Sequence, residues 1–128
     1  MNNIVLELIA SVYTILIGIT MLGMWFLLLF KREVPELKTK PTQIFFHLAA
    51  EFITAVVLII GGIGFLMNQP WGLAIFFIAI GMAIYSTINA AGFYGQLKDW
   101  PMFITLMVFS IFSLLIAALI LIIEFQIF

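Results

Sequence analysis

Four uninterrupted apolar runs, at about residues 4–30, 43–67, 71–94 and 102–123, make up most of this chain. Each clears the roughly 20 residues that a helix needs to cross a bilayer core. Runs of that length are about twice a barrel strand, and an open strand cannot cross hydrocarbon because its N–H and C=O groups would find no partner there. Each run is therefore expected to be a helix. The composition leaves only lipid as the solvent: 66% of the 128 residues are hydrophobic and 9% are charged, where a soluble domain carries about a quarter charged residues.

The links between the runs are short: a charged stretch over 31–42, an Asn68-Gln69-Pro70 turn and a loop over 95–101. Pro41, Pro70 and Pro101 stand just ahead of the second, third and fourth runs, where a missing N–H costs nothing. Short links force neighbouring helices to run antiparallel. The expected fold is an all-α membrane protein, a four-transmembrane-helix up-down-up-down bundle forming a single integral membrane domain over 1–128. Lys31, Arg32, Lys38 and Lys40 fall in the first link and Lys98 in the third. The positive-inside rule then places those links in the cytoplasm and both termini on the non-cytoplasmic side of a cell membrane. The first run lacks a basic leader and a small-residue cleavage pattern and exceeds the ~7–15 residues of a signal-peptide core, so it reads as a retained span. With no cysteine, disulfides, thiolate metal sites and cysteine nucleophiles are excluded. The basic residues avoid the apolar runs, and nothing suggests a nucleic-acid surface.

Polar residues inside the spans are the informative ones. In the first, Glu7, Ser11, Thr14, Gly18, Met21 and Trp25 share one helical stripe, the pattern of close helix contact in lipid. Glu7 and Glu124 fall at the same outer level and are expected to be solvated. Trp25, with Trp71, Trp100, Tyr94 and Tyr13, reads as part of an aromatic belt near the span ends. In the second span, His47, Glu51, Thr54, Leu58 and Gly61/Gly62 share a face. Glu51 lies ~12 Å into the span at 1.5 Å per residue, too deep for a short acid to reach the headgroups. A charge at mid-helix costs ~2.5–3.5 kcal/mol on insertion scales, which a cavity or partner must offset. His47, one turn shallower, is the expected partner, either as an ion pair or as an imidazole bonded to a neutral acid; burial away from Lys and Arg favours the neutral form. Such a pair is a helix-to-helix clamp, a proton, ion or ligand site, or a pair facing an oligomer interface. The third span places Gly81, Tyr85, Asn89, Gly92 and Gln96 on one face and Ala79, Ala83, Ser86 and Ala90 on another. Tyr85 and Asn89 match His47 and Glu51 in depth. These four side chains are expected to line one cavity in the cytoplasmic half, with Thr20, Thr54, Thr105 and Ser110 in support. Gly61-Gly62-Ile63-Gly64 follows no strand, so it reads as a packing surface and not as a phosphate loop.

Metal and haem chemistry are poorly supplied, with one histidine and one deep acid, and no serine, lysine or cysteine stands beside a base. Neither a cofactor nor a metal is expected. The segment Phe46-His47-Leu48-Ala49-Ala50-Glu51-Phe52 is similar to the His-x-x-x-Glu helix of the emopamil-binding sterol-isomerase family, multi-span proteins in which those two residues face a lipidic substrate. That resemblance implies proton transfer at His47 and Glu51. The chain departs from the pattern in having Tyr85 and Asn89 where the family's next helix carries a further acid, and four spans in place of five. The expected function is a ligand-binding or transport/channel module working as an oligomer. The alternatives are a membrane enzyme doing isomerase-like acid–base chemistry on a lipidic substrate, and a packing subunit of a larger complex. Expected partners are the lipid bilayer, further copies or a larger membrane complex, and a small or lipid-like ligand.

Overall fold

The computed structural model describes residues 4–126. They form α1 (Ile4–Phe30), α2 (Glu36–Thr39), α3 (Pro41–Leu66), α4 (Gly72–Gln96) and α5 (Trp100–Phe125), with no strand among the described residues. Each of α1, α3, α4 and α5 is long and apolar enough to cross a membrane, which marks the chain as a multi-pass membrane protein. The short α2 was not foreseen. It follows Pro35, whose fixed φ of −64° pre-forms a helical turn, and Val34 beside it is buried.

Two helix starts differ from the sequence expectation. α3 begins at Pro41 and α5 at Trp100, so Pro41 and Pro101 lie inside the first turn and not ahead of it. The first four N–H groups of a helix have no partner within it, so a proline there removes nothing. Asp99 caps α5, its Oδ1 accepting from the Met102 N–H at 3.4 Å. The ends of α1, α3 and α4 share one device. Arg32, Asn68 and Lys98 each take a left-handed φ of 55–60°. The residue after each closes a bond back to the last turn: Glu33 N–H to Leu28 O, Gln69 N–H to Gly64 O, and Asp99 N–H to Tyr94 O. This is the Schellman stop, here built without glycine.

α1 packs on α3, α3 on α4 and α4 on α5, with lighter contact between α1 and α5. Lipid tails are as apolar as leucine, so the helices associate by close packing and a few hydrogen bonds. Small residues supply the packing. A Cβ on Gly18 would lie 2.7 Å from Ala55 O, and one on Gly62 would lie 2.5 Å from Thr14 Oγ1. Gly64 and Gly72 bring α3 and α4 together in the same way, since a Cβ on Gly64 would strike the Trp71 ring and one on Gly72 the Gly64 backbone. The Gly61–Gly64 run is thus a packing surface facing two neighbours. Where α1 meets α5, Tyr13 fills the wider seam, its hydroxyl 2.7 Å from Ser113 Oγ and its ring edge-on to Phe112.

Candidate functional site

α3 carries Glu51 ten residues past Pro41, about 15 Å along the axis at 1.5 Å per residue. At that depth its carboxyl group must be satisfied by protein, and it is. Ser86 Oγ of α4 donates to Oε1 at 2.6 Å, and Trp25 Nε1 of α1 donates to Oε2 at 3.4 Å. One acid therefore ties together three helices. The expected bond from His47 is absent among the described residues. The imidazole instead meets the Trp25 ring edge-on, with centroids 5.6 Å apart. His47 and Glu51 do share a helix face, but side chains on neighbouring helices compete for both and win.

Beside this tie lies a groove of about 400 Å³ between α3 and α4, lined by His47, Glu51, Thr54, Tyr85, Ser86 and Asn89 among others. The structure thus brings His47, Glu51, Tyr85 and Asn89 together. Thr54 lines the same groove, although its hydroxyl donates back to Ala50 O at 2.7 Å. The other supporting positions lie elsewhere. Thr20 is exposed on α1 and does not line the groove. Thr105 bonds Pro101 O, and Ser110 joins α5 to α4 through Thr87 Oγ1 at 2.8 Å. Matching depth alone selected those three, and depth says nothing about which way a helix face turns.

Sequence reasoning missed Trp25 and Ser86 as partners of Glu51. On the sequence alone Trp25 reads as part of an aromatic belt and Ser86 as one of a row of small residues. Ser86 lies ten residues before the end of α4 at Gln96, as Glu51 lies ten past the start of α3, so the depth match that selected Tyr85 and Asn89 includes it. Tyr85 is 75% exposed and Asn89 is exposed too, on a face of α4 where a Cβ on Gly81 or Gly92 would meet nothing within 4 Å. The groove therefore opens onto an uncovered face.

At the other end of the helices, Glu7 and Glu124 are not two separate solvated acids. They line one cavity with Ser11, and their carboxyl groups lie within hydrogen-bonding reach of each other. No group of three His, Cys, Asp or Glu side chains suited to a metal ion occurs among the described residues.

A family model described as Domain of unknown function (DUF8058) matches residues 4–127. The chain belongs to that family. Its match spans all four long helices, so the whole bundle, and not one hairpin of it, is the family's unit. Neither the curated proteins nor the solved structures contain a match to the chain.

Proposed function

We propose that this chain is a ligand-binding or transport module of the cell membrane, acting as an oligomer, with the groove between α3 and α4 as its site. The observation that carries the reading is the placement of Glu51. Its carboxyl group is held at mid-span by donors from two other helices, beside His47, Tyr85 and Asn89 on one groove. A deep acid is costly in lipid and marks a functional site by default. The exposed Tyr85 and Asn89 support the oligomer, because hydrogen-bonding groups facing hydrocarbon need a cover that further copies supply. The bundle runs up-down-up-down, with the basic first and third links in the cytoplasm and both termini outside. The groove then lies in the cytoplasmic half.

The test is flux in proteoliposomes across a panel of small solutes and protons. Wild type conducts at least one, and Glu51→Gln abolishes it; liposomes silent to the whole panel remove the transport reading. One observation favours acid–base chemistry on a lipidic substrate as a second reading: the His47 imidazole is not engaged by Glu51 and faces the same groove. That reading requires a co-purifying lipid to be converted by wild type and left unchanged by His47→Ala.

A further inference from the structure

The cavity between Glu7 and Glu124 has features that packing does not explain. It measures about 450 Å³ and is built from the start of α1, the end of α3, the turn that follows it, the start of α4 and the end of α5. That volume falls in the range of small-molecule sites, roughly 300–1,000 Å³, and is far larger than a bare ion needs. One of its polar atoms is buried with no partner at all, Ser11 Oγ in a residue 0% exposed, and Glu124 Oε1, buried too, has only the Glu7 carboxyl group within reach. Buried polar atoms are normally bonded, so each such exception calls for an explanation.

Ser11 had an easy alternative. Other hydroxyls on these helices bond back to a carbonyl one turn earlier, as Thr54 does to Ala50 O, Thr87 to Ala83 O and Ser110 to Leu106 O. The Ser11 hydroxyl does not, and the residue lines the cavity. Facing it are two carboxyl groups and no basic side chain, since the lysines and the arginine all lie in the links at the other end of the helices.

We propose that this cavity is a binding site for a primary organic ammonium. Glu7, Glu124 Oε1 and Ser11 Oγ are all able to accept a hydrogen bond, and an –NH₃⁺ group offers three donors and no acceptor. Its positive charge offsets the repulsion between two carboxyl groups this close. The apolar wall formed by Phe65, Leu66 and Leu73 takes the carbon body of the ligand. The ammonium comes either from a soluble amine or from the headgroup of phosphatidylethanolamine, and the chemistry of capture is the same.

The experiment uses the full chain in phosphatidylcholine nanodiscs, whose quaternary headgroup has no N–H donor. n-Hexylammonium chloride is titrated against n-hexanol, with the thermal unfolding midpoint as readout. Hexylammonium raises the midpoint with concentration and hexanol does not. Glu124→Gln, which removes a charge-assisted bond, weakens the effect by roughly tenfold or more, and Ser11→Ala weakens it by less. Should Glu124→Gln fail to fold, Glu7→Gln and Ser11→Ala carry the same comparison. A second set of discs containing phosphatidylethanolamine, read by native mass spectrometry, separates the sources: retention of that lipid by wild type and its loss in Glu7→Gln assigns the headgroup. Binding of hexylammonium alone assigns a soluble amine. The proposal is overturned if neither amine binds, if hexanol binds as well as hexylammonium, or if the carboxyl and hydroxyl variants bind hexylammonium as tightly as wild type.

Discussion

Replacing Ser86 by alanine removes the shorter of the two hydrogen bonds on the Glu51 carboxyl group. At 2.6 Å, the Ser86 bond has the length of a strong O–H···O contact; at 3.4 Å, the Trp25 bond lies beyond the usual 2.7–3.2 Å of N–H···O. Hydrogen bonds between membrane helices average about 0.6 kcal/mol and reach about 1.7. The short bond belongs near the top of that range and the long one at or below its mean. We expect the Ser86–Glu51 coupling to be about 1.5 kcal/mol, roughly tenfold in the folding equilibrium, and the Trp25–Glu51 coupling about 0.5 kcal/mol or less. Double-mutant cycles measure both: Ser86→Ala and Trp25→Phe, each alone and combined with Glu51→Ala. Unfolding in mixed detergent is followed by far-UV circular dichroism, so that losing a tryptophan does not disturb the signal. The cycle cancels the packing lost when the indole shrinks to a phenyl ring, which a single mutant would not. A Trp25 coupling equal to or above that of Ser86, or a Ser86 coupling within the ~0.3 kcal/mol expected of independent sites, would show that α4 does not hold the acid as described.

Other positions offer cheaper tests. Gly62→Ala puts a methyl 2.5 Å from Thr14 Oγ1 and 2.6 Å from Ile15 Cγ1, so it should cost about 1–3 kcal/mol in the same unfolding assay. Gly81→Ala and Gly92→Ala, with nothing within 4 Å, should not destabilise the chain and should stabilise it by up to about 1 kcal/mol, while any loss should appear only in the oligomer distribution by cross-linking. Tyr13→Phe keeps the ring against Phe112 but loses the Ser113 bond, and should cost about 0.6–1.7 kcal/mol. Lys98→Gly should stabilise the chain by about 1 kcal/mol by relieving a left-handed side-chain conformation; Asn68→Gly should gain less, because asparagine tolerates that conformation.

The candidate groove was legible as far as helix depth and helix face could take it. His47, Glu51 and Thr54 share a stripe of α3, and Tyr85 and Asn89 share one of α4. Ser86 points into the same groove from what had read as a second stripe. Two stripes on a helix of 3.6 residues per turn lie close enough for one cavity to draw on both. Glu7 and Glu124 show the opposite limit. The sequence puts them at one level of the membrane, and only the meeting of α1 with α5 makes them neighbours.

Solvent and the number of spans follow from the chain by itself. Apolar runs of bilayer length admit one secondary structure in hydrocarbon, and charged links and prolines bound it. Partnership between helices does not follow, because in lipid no single buried side is forced on a helix that is apolar all round. Which residue of α1 meets which of α3 is decided by where backbones can approach, at Gly18 and Gly62, and by which donor reaches an acid first. Periodicity places a carboxyl group on a face, but only the packed helices decide that Ser86 and Trp25, and not His47, complete it.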